Sequence, residues 1–224
     1  MKIKNLLATA FLLVTLSSYS QTLSFGPRLG ANFTTYGGMD NATFKPGLLA
    51  GVFLVYSKRE HAGFGADLLY SGEGAKYKIT TTNGTTTVVN EYNTRLNYIR
   101  LPLHFIYFFN EAGDKFRPKV AIGPSLGYLA STKQKLKTTT RTNSNETSFD
   151  TESTSLNNYK SMDVGLSLGL GFNYKILSRT WLNMDARYYY GLLDITKNNT
   201  TSDRVNNHGP SISFGIGLGI DKAK

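Results

Sequence analysis

The chain of 224 residues has no cysteine, only 18% charged residues, and fewer acids than bases, 15 against 25. Without cysteine there is no disulfide scaffold, thiolate metal site, thiol nucleophile or bacterial lipoprotein anchor. Beyond residue 20 no stretch approaches the roughly 18 consecutive apolar residues that a membrane-spanning helix needs. The three histidines, His61, His104 and His208, lie far apart in the sequence, so no metal site is expected. No Ser/His/acid arrangement stands out and no Lys-Ser/Thr follows the glycine series, so neither catalysis nor a bound cofactor is expected.

The first twenty residues have the form of a secretory signal peptide. Lys2 and Lys4 precede an apolar run from Leu6 to Leu16, and Ser18-Tyr19-Ser20 supplies small residues at the two positions a signal peptidase reads. Residues 1–20 are therefore expected to be removed, leaving a single domain over 21–224 with 23 basic and 15 acidic side chains, net +8. A basic exported chain meets anionic envelope surfaces, not nucleic acid.

What the mature chain has in quantity is glycine, 22 residues, aromatic side chains at 12%, and period-two alternation. Residues 160–176 set Met162, Val164, Leu166, Leu168, Leu170, Phe172, Tyr174 and Ile176 against small or polar neighbours such as Asp163, Gly165, Ser167, Gly169 and Gly171. Residues 210–220 repeat the pattern, and 23–33, 62–71, 96–109, 118–130 and 182–192 follow it. Residues 47–56 are apolar on both faces and leave their orientation open. That makes eight strands.

Alternation alone does not say whether the apolar face forms a soluble core or meets lipid. The connections decide. They run about 13, 5, 24, 8, 29, 5 and 17 residues, alternating long and short. This is the pattern of an eight-stranded antiparallel up-and-down transmembrane β-barrel, with short periplasmic turns and long extracellular hairpin loops. Aromatic residues gather near both expected rims: Phe33, Tyr70, Tyr128, Tyr159 and Tyr190 at one, and Tyr56, Phe64, Phe109, Phe116, Tyr174 and Trp181 at the other. With no spanning helix, only a closed barrel satisfies its backbone in lipid.

Several motifs in order resemble the PorT-like outer-membrane β-barrel family. They are Asp67-Leu68-Leu69-Tyr70-Ser71 with Gly74, Leu96-Asn97-Tyr98-Ile99-Arg100-Leu101-Pro102-Leu103, Gly123-Pro124-Ser125-Leu126-Gly127-Tyr128, Asp163-Val164-Gly165, and Asp185-Ala186-Arg187-Tyr188 before Gly191-Leu192. The family frequently carries glutamate where Arg100 stands here. The resemblance implies a small outer-membrane barrel and an association with protein secretion machinery.

An eight-stranded barrel is just wide enough to be filled by its own side chains, so the interior is expected to be polar and non-conducting. Arg28, Asp67, Arg100, His104, Lys119, Asp163, Asp185 and Arg187 fall on the inward face and are expected to pair with one another. In the longest connection, Lys133, Lys135, Lys137 and Arg141 alternate with threonines and form a candidate extracellular binding loop. Thr80–Thr87, around Asn83-Gly84, reads as a second extended hairpin.

The resulting expectation is a monomeric structural or interaction protein, not an enzyme, whose partners are outer-membrane lipids, lipopolysaccharide and envelope or secretion proteins. Two other readings make different demands. A soluble lipocalin-like barrel would point its Leu/Phe face inward and expose Asp163, Asp185 and Arg187. A lipid hydrolase would bring His104 or His208 to a serine and an acid.

Overall fold

The computed structural model describes residues 22–39, 41–57, 60–142, 145–154, 156–197 and 204–220. The expected signal peptide lies outside them. Nine strands follow in chain order: β1 (Thr22–Gly37), β2 (Thr43–Ser57), β3 (Ala62–Asn83), β4 (Thr86–Phe108), β5 (Phe116–Thr142), β6 (Asn145–Ser153), β7 (Met162–Leu177), β8 (Thr180–Gly191) and β9 (Asn206–Ile220). Eight of them pair antiparallel in a closed ring, β1-β2-β3-β4-β5-β7-β8-β9, and β9 returns to β1. Closure leaves the ring with no edge and satisfies its backbone without water. β6 lies outside the ring, paired with the upper half of β5.

The period-two pattern determines what faces where. In β7, Leu168 is 58% exposed, whereas its flanking Ser167 is buried. Phe25, Leu29, Leu68, Leu101, Phe105, Ile122, Leu170, Ile212, Phe214 and Ile216 belong to the same exposed apolar belt. The lipocalin-like orientation is thereby overturned, because the greasy face points out and Asp163 and Asp185 are buried inside. β2, ambiguous in sequence, turns Leu49, Phe53 and Val55 inward and Leu48, Val52 and Leu54 outward.

Strands β3, β4 and β5 run for 22, 23 and 27 residues, about twice what a tilted membrane strand needs. Their upper parts, rich in threonine, carry straight on past the ring, so the two longest connections are strands almost to their tips. The β3–β4 turn uses Gly84 and Thr85, one residue later than the Asn83-Gly84 centre the sequence suggests. Gly84 has φ +59°, which glycine supplies at the first loop position.

Two buried apolar clusters sit within the ring. At the long-hairpin end, Tyr36, Ala75, Leu96, Tyr98, Leu129, Ile195 and Val205 pack together. Ile195 is held there by backbone bonds from its N–H to the Val205 carbonyl (2.9 Å) and from the Lys160 N–H to its own carbonyl (2.7 Å). Tyr159, expected in an aromatic girdle, packs against this cluster instead. At the short-turn end, Phe53, Val55, Ile106, Phe108 and Ala121 form the second cluster.

Candidate functional site

Between the two apolar clusters lies a ladder of charged side chains. Its lower group joins β1, β3, β5 and β8. Arg28 Nη1 donates to Asp185 Oδ2 at 2.7 Å and Arg28 Nη2 to Asn183 Oδ1 at 2.9 Å. Lys119 Nζ lies 3.1 Å from Asp185 Oδ1, and Arg187 bonds both Asp67 and, at 3.3 Å, Asp185. Asn183 donates onward to Asn173 at 2.8 Å. The Arg28 guanidinium stacks over Phe53 of the lower cluster, 4.8 Å from the ring centre.

The upper group centres on Arg100 of β4. It bonds Glu73 through two nitrogens and Asp163 Oδ2 at 2.6 Å, while its guanidinium lies 3.9 Å from the ring centre of Tyr189 and 4.9 Å from that of Tyr98. Ser71 donates to Glu73 at 2.8 Å and receives a bond from Asn32 at 2.7 Å. The lower group holds three cations and two carboxylates, and the upper group one cation and two carboxylates, so together they balance. Buried charges are costly unless paired in this way or hydrogen-bonded, as Lys45 is to Asn93 and to the Thr94 carbonyl.

Glycines make the room. A Cβ on Gly165, Gly169 or Gly171 of β7 would sit 2.6, 2.7 and 2.7 Å from the side chains of Tyr189, Arg187 and Asp185 on β8. Likewise one on Gly215 would meet the Phe53 ring at 2.6 Å. The glycine series is thus the space into which the neighbouring strand's large inward side chains fit. A remaining cavity beside Arg100, Ser167, Arg187 and Tyr189 measures about 50 Å³, enough for roughly one or two waters.

All eight interior residues expected from sequence therefore face the lumen, and seven of them join the two charge groups. The eighth, His104, contacts Ser167 through Nε2 at 3.1 Å. That pair looks into the lumen, away from the outward apolar belt. Asn173 and Asn183 are buried on the polar face that the alternation of 160–176 and 182–192 marks, whereas Glu73 and Asn207 lie beyond the segments whose alternation the sequence shows. Glu73 continues the inward period 67, 69, 71, 73 just past Ser71, where the apolar alternation of 62–71 stops.

Above the ring, β3, β4, β5 and β6 form a four-stranded projecting sheet. The four candidate binding residues lie on one face of β5, and three of them are already paired: Lys133 and Lys135 with Glu152 at 2.6 and 3.7 Å, and Arg141 with Glu146 at 3.0 Å. The fourth, Lys137, stands opposite Asp150 in register. A shallow concavity of about 610 Å³ crosses this sheet, lined among others by Lys76, Lys78, Glu91, Lys137 and Asp150. The Lys78 ammonium, 2.6 Å from Glu91, holds that carboxyl below its usual range through its hydrogen bond and charge, and Lys133 and Lys135 do the same for Glu152.

Solved structures similar to this chain are outer-membrane proteins. Neisserial surface protein A is 15% identical over 87% of this chain and 96% of its own, with a TM-score of 0.45. OprG from Pseudomonas aeruginosa is 13% identical over 90% and 96%, TM-score 0.47. E. coli outer membrane protein W is 11% identical over 88% and 98%, TM-score 0.37. No curated protein matches the chain. The model of the outer membrane protein beta-barrel domain matches residues 19–197. The closed ring, its outward apolar belt and this match agree, and the chain belongs to the outer membrane protein beta-barrel domain family of the bacterial outer membrane.

Proposed function

We propose that the protein is an exported, monomeric, non-conducting outer-membrane barrel that acts as a structural or interaction protein, displaying its β3–β4 and β5–β6 hairpins outside the cell. The observation that carries this reading is the division of labour along the barrel axis. A polar lumen, whose two central charge groups balance, lies between two clusters of buried apolar side chains, and the longest strands project from one rim only. A filled eight-stranded interior does not pass solutes. The residues that remain to meet partners are those of the projecting sheet.

Membrane lipid is one partner, through the apolar belt. Lipopolysaccharide phosphates are a second, contacted by Lys133, Lys135, Lys137 and Arg141 in competition with the acids of β6. An association with secretion machinery rests on the PorT-like motifs, of which Arg100 and Asp163 meet in the upper charge group and Asp67, Asp185 and Arg187 in the lower. No hydrolytic role is assigned to His104 and Ser167, whose contact faces the closed lumen.

The test is reconstitution of the mature protein in a planar lipid bilayer, with its N-terminus identified by mass spectrometry. The reading expects processing after Ser20, a heat-dependent shift in gel mobility and no steady conductance. A stable open channel of ion-conducting size would overturn the sealed-lumen reading.

A further inference from the structure

β6 ends the projecting sheet. Among the described residues it pairs with β5 alone, leaving its other side open, and all nine of its residues are exposed. A free edge of this length presents a row of backbone donors and acceptors that natural proteins usually cover. Its side chains carry three acids, Glu146, Asp150 and Glu152, and no base.

The acids complete a pattern that runs across the strands. Lys78, Glu91, Lys137 and Asp150 are successive cross-strand partners, so the charge alternates from β3 to β6. On neighbouring rows Lys135 stands opposite Glu152, and Arg141 opposite Glu146. Each of these three rows ends on a carboxylate at the open edge. Opposite charges on directly paired residues stabilise a sheet and like charges destabilise it, so the next strand in this series carries cations. On the other face, Phe149 is 69% exposed at the same edge.

We propose that the free edge of β6 accepts an extended segment of a partner protein as a fifth, antiparallel strand. The segment has Lys or Arg at alternate positions, opposite Glu152, Asp150 and Glu146, with β-branched or aromatic residues between them to cover Phe149. Main-chain hydrogen bonds supply the affinity and the alternating side chains the selectivity. A second copy does not fit through its own β6 in the registers centred on that strand. Antiparallel β6–β6 pairing about Phe149 sets Glu146 against Glu152, pairing about Asp150 sets Asp150 against itself, and pairing about Ser148 sets Glu146 against Asp150. The proposal rests on the hairpin being displayed outside the cell.

The chain's lack of cysteine allows one preparation to test both levels. Ser148→Cys on intact cells, treated with a membrane-impermeant maleimide, reports display; failure to label overturns the display reading and the inference with it. The full chain in lipid nanodiscs is then titrated with fluorescent Lys-Val-Lys-Val-Thr-Val-Lys. Binding is expected, weakened about fivefold by Asp150→Lys. It should be lost when alternate peptide amides of the set facing β6 are N-methylated but not when the other set is. Equal binding by a scrambled peptide of the same composition means charge attraction alone and overturns the strand-addition proposal. So does indifference to both N-methyl sets, absence of peptide binding despite labelling, or a β6-dependent dimer in sedimentation.

Discussion

Arg28–Asp185 in the lumen and Lys78–Glu91 in the projecting sheet are ion pairs of nearly equal length, 2.7 and 2.6 Å. The side chains of the first are 1% and 2% exposed, and those of the second 56% and 47%. Length therefore says little about what either pair contributes. In the lumen each charge has left water, so removing one partner strands the other at high cost; in the sheet, water replaces whichever partner is lost. One chemistry thus serves as a rigid filling in one place and as an adjustable surface in the other.

The sharpest way to break this comparison is at Arg100, the single cation of the upper group. Arg100→Leu leaves Glu73 and Asp163 buried without their partner, and it should cost about 3–5 kcal/mol. Urea titration of the barrel in vesicles, followed by gel mobility with and without heating, reads the loss. A variant as stable as the parent would mean that water reaches the upper group and the apolar cluster above it does not seal.

Next in size is the outward belt. Leu168→Arg, near the centre of β7 and 58% exposed, should cost on the order of 2–4 kcal/mol if it meets the bilayer midplane. The same titration reports it. Normal stability in lipid, with loss in neither assembly nor mobility, would mean that β7 does not face hydrocarbon.

Much of this contrast was legible in the residues. Period two fixed which face of β7 and β9 turned inward, because glycine and serine on one side and leucine and phenylalanine on the other allow only one burial in lipid. It also placed the interior charges, since an aspartate flanked by Leu68 and Ala66 must take the opposite face. Less legible was where strands stop. β3 and β5 continue well past the apolar alternation into threonine, lysine and asparagine, whose pattern carries no burial signal above the rim. Glu73 was lost for that reason, and so was Ala75 in the upper apolar cluster. Ile195 belongs to a connection without periodicity, so no spacing announced that it would plug the mouth. The pairing of Lys133 and Lys135 with Glu152 depends on the β5–β6 register, which the threonine-rich sequence does not announce.

Acid provides a smaller, local probe of the sheet. Glu91 and Glu152 are held below the ordinary value of 4.5 by their lysines. A carboxyl whose folded pKa is depressed stabilises the folded form above its unfolded pKa and loses that contribution as pH falls through the folded value. Protection of the β5–β6 amides against hydrogen exchange, corrected for the intrinsic rate, should therefore hold at neutral pH and decline below about 4.5. Protection unchanged well below that value would show that backbone pairing alone holds the hairpin.

The smallest effect is expected where the comparison began. Lys78→Gln removes the ammonium from Glu91 and keeps most of the side chain's reach and hydrogen-bonding capacity. Both partners are bathed in water, the pair spends side-chain entropy to hold its geometry, and salt screens what attraction remains. The unfolding midpoint should stay within experimental scatter, and adding salt to the parent protein should reproduce whatever small change the substitution makes. A destabilisation approaching that of Arg100→Leu would show that the charge rows of the projecting sheet act as one cooperative network, and that its exposure to water does not weaken it as its accessibility implies.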